Sequence, residues 1–112
     1  MPGEIVYLTT RSQVVKYLET HTFVIIKFTA TWCGPCKRCA PLVESLFKSM
    51  PETVSMIIVD IDKGADIKQA MKIKSVPTLV NFVNSNMMDS VIGANNDHIN
   101  SFFKKTLKRS CS

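Results

Sequence analysis

The stretch Phe23–Cys36, FVIIKFTATWCGPC, decides the fold of this chain. Its first seven residues, Phe23–Thr29, are aromatic or β-branched except for Lys27, with no regular polar alternation. A run of that kind fits a central strand buried on both faces, in a parallel or mixed sheet covered by helices. Its second half sets Cys33 and Cys36 two residues apart around Gly34-Pro35. Immediately afterwards the apolar period changes to that of a helix. Cys39, Leu42, Val43, Leu46, Phe47 and Met50 recur at three- and four-residue steps and form one apolar stripe. A helix is therefore expected from Pro35 to about Met50, kinked at Pro41 one turn after its start.

Working outward, Glu4–Leu8 reads as a short strand, and Thr10 or Ser12 caps a helix running to about Thr20. Val54–Val59 is a second buried strand, ending in Asp60-Ile61-Asp62. Gly64–Met71 reads as a short helix with Ile67, Ala70 and Met71 inward. Thr78–Val83 and Met87–Ile92 are strands joined by Asn84-Ser85-Asn86, residue types that suit a tight turn. Asn95 or Asn96 caps a last helix with Ile99, Phe102, Phe103 and Leu107 on its inner face. The order βαβα, a short helix, then ββα implies one α/β domain over residues 1–112, a small mixed sheet with helices on both faces. Residues 108–112 are expected to fray.

The cysteine pair carries the chemistry. A thiol attacks a disulfide only as its thiolate. A helix N-terminus offers unpaired N–H groups and partial positive charge, and both stabilise that anion. Cys33 falls at this position and is expected to be the more exposed of the two. Cys36, one turn in, can reach back to close a short disulfide loop. Gly34 permits the tight turn, Pro35 suits a first helical turn where no N–H is needed, and Trp32 can cover one side of the sulfur. Cys-x-x-Cys in a reducing compartment means redox chemistry or metal ligation.

Composition narrows the classes. At 112 residues the chain is the size of one domain, and 46% hydrophobic with 21% charged residues excludes a disordered tail, a collagen-like repeat and a coiled coil. The strongest apolar run, Phe23–Ile26, is far short of the ~20 residues of a membrane helix. The opening residues hold no basic segment followed by an apolar one, so a cytoplasmic, reducing setting is expected. Of the +5 net charge, Lys104, Lys105, Lys108 and Arg109 supply all but +1. This is read as a solvated helix end suited to the dipole rather than a nucleic-acid site, because no stacking aromatics interleave with it.

Taken together, Phe28-x-Ala30-x-Trp32-Cys33-Gly34-Pro35-Cys36-Lys37, Ala40-Pro41, Asp60-x-Asp62, Val76-Pro77-Thr78-Leu79 and Gly93 resemble the thioredoxin family, from about Phe23 to Phe103. The resemblance implies a thioredoxin fold and a small thiol–disulfide oxidoreductase that reduces protein disulfides. It implies Cys33 as attacking and Cys36 as resolving cysteine, with no bound cofactor beyond the redox-active disulfide Cys33–Cys36. It also implies a cis proline at Pro77, which with Val76 and Gly93 forms a groove for an extended substrate chain. Disulfide-containing proteins are the implied substrates, and a thioredoxin reductase or the glutathione system the implied recycling partner. A monomer is expected.

Two departures stand out. The family usually has a buried aspartate at the position of Lys27 and a lysine at that of Ile58. A charged Lys27 would stabilise a nearby thiolate, a neutral one could take the proton of Cys36, and a third reading pairs it with Asp60 or Asp62 or turns it to solvent. Cys39 falls on the apolar stripe and reads as a buried inert thiol. A metal site from Cys33, Cys36 and Cys39 lacks a nearby fourth ligand, since His21 and His98 read as surface residues. Cys111 reads as a surface thiol on the fraying tail. The competing function is a thioredoxin-like binding subunit of a larger complex in which the redox pair is secondary.

Overall fold

In the computed structural model, which describes residues 2–111, five strands and four helices alternate along the chain. They are β1 (Ile5–Tyr7), α1 (Arg11–Thr20), β2 (Phe23–Thr29), α2 (Gly34–Lys48), β3 (Val54–Asp60), α3 (Ala65–Ala70), β4 (Thr78–Val83), β5 (Asn86–Ile92) and α4 (Asn96–Cys111). The sheet order is β1-β3-β2-β4-β5. β1 and β2 lie parallel to β3, whereas β2–β4 and β4–β5 are antiparallel. β2 is thus the middle strand. Its apolar run, interrupted only at Lys27, follows from that place, because both its faces meet helices.

The two faces bury separate cores. Val24, Ile26 and Phe28 of β2 join Val14 of α1, Ile67 of α3, Ile57 and Val59 of β3, and Val80 and Phe82 of β4. The intervening Ile25 faces the other way and packs with Val43 and Phe47 of α2 and with Ile99, Phe102 and Phe103 of α4. The period of two along the strand makes this split. Lys27 lies on the Ile25 side, in register with Ile58 on β3 and Leu79 on β4.

Local chemistry sets the ends of these elements. Thr10, not Ser12, caps α1: its hydroxyl accepts from the Gln13 N–H at 3.3 Å, and Gln13 Oε1 accepts from the Thr10 N–H at 3.1 Å. That reciprocal pair is a capping box. α2 continues through Pro41, which has no N–H to offer the Lys37 carbonyl. The hairpin turn is two residues long rather than three. Asn84 and Ser85 both take positive φ, 51° and 68°, the conformation whose twist matches the strands, and β5 starts at Asn86. Asn95 is the residue that caps α4, its side-chain oxygen accepting from the His98 N–H at 3.0 Å.

Four expectations need correction. α4 continues to Cys111, so residues 108–111 are helix and not a frayed tail; Ser112 lies outside the described residues. The Arg109 guanidinium holds this end by donating to both Asp89 oxygens on β5, at 2.7 and 3.2 Å. Leu107 is 39% exposed and Thr106 takes the inward place. Thr106 accepts from Asn81 Nδ2 at 2.9 Å and donates to the Phe102 carbonyl at 2.9 Å, so a polar residue is satisfied where an apolar one was expected. Ala70 faces solvent because α3 is only six residues long and turns inward mainly at Ile67. His21 is half-buried rather than a plain surface residue: its ring stacks on Tyr17, with centroids 3.8 Å apart, and Nε2 lies 3.6 Å from Glu4.

Candidate functional site

β2 ends at Thr29, and three residues later the chain enters α2 with Cys33 as its N-cap. Cys33 has extended backbone angles (φ −85°, ψ 106°), and its Sγ accepts from the Cys36 N–H at 3.1 Å. The sulfur therefore does what a serine or aspartate oxygen does at other caps: it satisfies an orphan N–H of the first turn. Pro35 in that turn has no N–H to leave unsatisfied. Cys33 and Cys36 are joined as a disulfide, their Cα atoms 5.3 Å apart. Two of the three clustered sulfurs are thus bonded to each other. Among the described residues no group of three or more His, Cys, Asp or Glu side chains converges as a metal site.

Neither bridged cysteine is exposed, contrary to the expectation for Cys33, which is 3% accessible against 7% for Cys36. The reason lies across the groove. Cys33 Sγ sits 3.7 Å from the Val76 carbonyl oxygen, which its thiol can reach as a donor once reduced. Val76–Pro77 is a cis peptide bond, as the resemblance implied, and the Pro77 carbonyl accepts from the Gly93 N–H at 2.9 Å. Gly93 has φ +97°, a backbone state that side chains rarely adopt, and a Cβ there would meet nothing within 4 Å. The space above Gly93 is open, and Ile92 beside it is 68% exposed.

Trp32 is 64% exposed, so it flanks the bridge rather than enclosing it. Its indole N–H donates to Asp62 Oδ2 at 2.8 Å. The Asp62 N–H in turn donates to Asp60 Oδ1 at 2.8 Å. Asp62 is the site residue whose role the sequence reading missed: it stood there as part of the Asp60-x-Asp62 motif and as a partner for Lys27, not for Trp32. The Asp60-x-Asp62 pair at the end of a buried strand was the available signal.

The Lys27 ammonium pairs with neither aspartate. The side chain, part-buried, reaches a narrow cavity of about 10 Å³ beneath the bridge, walled by Cys36, Cys39, Val43, Pro77, Leu79 and Ile99 among others. Cys39 is buried, its thiol 3.6 Å from the Cys36 carbonyl. Burial raises its pKa above the ordinary thiol value, while Lys27 and Arg38 pull the other way. Cys39 is thus an inert-looking thiol in a charged neighbourhood.

With this geometry in hand, relatives can be compared. Residues 5–105 match the Thioredoxin family. The chain is 32% identical over 109 residues to the thioredoxin H-type of Chlamydomonas reinhardtii, covering 94% of this chain and 96% of that protein. The thioredoxin structure of Malassezia sympodialis superposes with a TM-score of 0.81 at 30% identity, covering 95% and 94% of the two chains. A chain from work on thiol resolution in yeast mitochondrial 1-Cys peroxiredoxin via the glutathione and thioredoxin systems gives 0.83 at 28% identity, covering 90% and 94%. A bridged cysteine pair at a helix cap, on this sheet and with these relatives, has one reading: the chain belongs to the thioredoxin family of thiol–disulfide oxidoreductases.

Proposed function

We propose that Cys33 is the attacking cysteine and Cys36 the resolving one, in a protein-disulfide reductase that passes two electrons per cycle. In the reduced pair, the Cys33 thiolate attacks one sulfur of a substrate disulfide, and the other substrate sulfur leaves with the electron pair. The Cys36 thiolate then attacks Cys33 Sγ in the mixed disulfide. The substrate's second sulfur leaves and the Cys33–Cys36 bridge remains. The observation that carries this reading is the Cys36 N–H pointing at Cys33 Sγ at the first turn of α2, where N–H groups and helix dipole favour negative charge on that sulfur. Gly34 and Pro35 shape that turn.

Val76, Pro77 and Gly93 form the floor on which an extended substrate segment lies. The Val76 carbonyl beside Cys33 and the open space above Gly93 support this. Trp32, fixed by Asp62, forms one wall. The substrates are disulfide-bearing proteins, and a peroxiredoxin is one class to try, by analogy with the yeast structural relative. Thioredoxin reductase is the recycling partner, with the glutathione system as alternative. The reading is of a monomer, in which the Cys33–Cys36 bridge and the Val76 carbonyl already meet within one chain. Two unbridged thiols, Cys39 and Cys111, fit a reducing, cytoplasmic compartment.

The test is to trap the intermediate. A Cys36→Ser variant, reduced and mixed with insulin, is expected to hold a stable mixed disulfide through Cys33, visible by mass spectrometry. An adduct through Cys39 or Cys111, or none, would overturn the assignment.

A further inference from the structure

One charged residue lines the cavity below the disulfide. Lys27 reaches it from the middle of the sheet, and among the described residues no carboxylate lines it. β3 presents Ile58 at the register of Lys27, β4 presents Leu79, and α4 presents Ile99. α2 presents the sulfurs of Cys36 and Cys39, with Arg38 near enough to act on Cys39 from outside the cavity. The two aspartates at the end of β3 have partners of their own, Asp62 with Trp32 and Asp60 with the Asp62 N–H. A cation with sulfurs for polar neighbours, and no carboxylate to neutralise it, acts on those sulfurs.

We propose that Lys27 is a positioning residue for the resolving step, its ammonium holding Cys36 as thiolate once the active-site bridge has opened. This rests on the reading of Cys36 as the resolving cysteine. Burial disfavours a thiolate at Cys36, and its attack on the mixed disulfide requires one. A cationic residue on the same cavity wall as Cys36 opposes that penalty where the helix N-terminus, aimed at Cys33, does less. The reaction balances without a further reactant. The Cys36 proton is lost to solvent, its sulfur lone pair forms the bond to Cys33 Sγ, and the substrate sulfur departs with the electrons of the broken S–S bond and is protonated from solvent.

The same charge biases the redox equilibrium. Thiolate exists only in the reduced form, so stabilising it stabilises that form and makes the protein a stronger oxidant. The experiment compares wild type, Lys27→Met, Lys27→Gln and Lys27→Arg, each first shown to be folded by circular dichroism. Each is equilibrated with a glutathione redox buffer. Removing the charge is expected to shift the equilibrium constant about tenfold toward the bridged form, about 30 mV for this two-electron couple, and Lys27→Arg is expected to restore most of it. Thiolate absorbance of Cys36, followed in a Cys33→Ala/Cys39→Ala/Cys111→Ala background, is expected to titrate at higher pH in the Lys27→Met variant than with Lys27. Equal equilibrium constants for wild type, Met and Gln would overturn the proposal. So would a shift that Arg fails to restore, which marks a packing effect, or one that vanishes in a Cys39→Ala background, which marks action through Cys39. The Cys36→Ser trap reports separately on the resolving role, so failure of one reading is distinguishable from failure of the other.

Discussion

The first turn of α2 and the last turn of α4 confront the same physical difficulty, since a helix leaves its terminal N–H or C=O groups without intrahelical partners. They meet it with groups of different character. At α2 an N–H is satisfied by Cys33 Sγ, an atom that changes bonding and charge during the reaction. At α4 the end is held by groups that keep their bonding: Ser110 donates to the Leu107 carbonyl at 2.8 Å, and Arg109 grips Asp89, which also accepts from Asn81 Nδ2 at 3.0 Å. One end is therefore reactive and the other is an anchor. Substitutions should separate the two, chemistry lost at α2 with little stability and stability lost at α4 with little chemistry.

The largest effect expected is on Cys33→Ser. Insulin reduction should fall by about three orders of magnitude or more, to the background rate, because the sulfur proposed to attack is gone. Stability compared with reduced wild type should change by no more than about 1 kcal/mol, since the serine oxygen can take over the cap. A large loss of stability measured by urea unfolding would break the contrast from the α2 side.

Next in size is Asn81→Leu at the anchor. Asn81 is buried and ties three elements together: Nδ2 donates to Asp89 and Thr106, and Oδ1 accepts from the Asp89 N–H at 2.7 Å. Leucine leaves that N–H and the inner side of Thr106 without their partner, at a cost of about 2 kcal/mol. Insulin reduction by the folded fraction should be unchanged. A drop in that activity would show that the anchor reaches the catalytic end.

The pH response sharpens the same contrast. Arg109 beside Asp89 holds its carboxyl below the ordinary 3.8. A carboxyl depressed in the folded state binds its proton more readily in the unfolded chain. Its contribution to stability is therefore whole above 3.8 and is lost as pH falls below that value toward the folded one. Between pH 5 and pH 3, roughly, wild type should lose more melting temperature than Asp89→Asn does, and equal losses would deny the pair its part.

The smallest effect belongs to Trp32→Phe. The ring is largely exposed and its one hydrogen bond goes to Asp62 at the surface, so stability should move by about 0.5 kcal/mol or less. Insulin reduction should slow a few-fold through KM if the fixed indole forms a wall of the substrate groove. An unchanged KM would remove Trp32 from that wall.

How far the sequence could be read depended on how near in the chain the interacting groups lie. The cap of α1 and the split of β2 into two faces rest on residues a few places apart, and both could be seen in advance. So could the Cys33–Cys36 bridge as a possibility, since it spans three positions. Leu107 and Thr106 show the limit. Both lie near the inner face of α4, and which of them turns inward depends on Asn81, 25 residues away on β4. Cys33 shows it again: its sulfur meets the carbonyl of Val76, 43 residues on, which no local rule brings to it. Lys27 stands out in the sequence as a charge within an apolar strand and as a departure from the family pattern, and strand register together with helix packing sets its neighbours.

By itself, then, the chain's order of residues determined where a strand gives way to a helix and that two sulfurs meet there. Helical and strand periods and cap chemistry act over one turn or one pleat. Only the tertiary structure decided what surrounds those sulfurs: a carbonyl from across the groove, an aspartate behind the tryptophan, and a lysine on the wall of a cavity that no carboxylate lines among the described residues. Those neighbours are set by sheet order and by the packing of helices on each face, relations between segments tens of residues apart that local preferences do not encode.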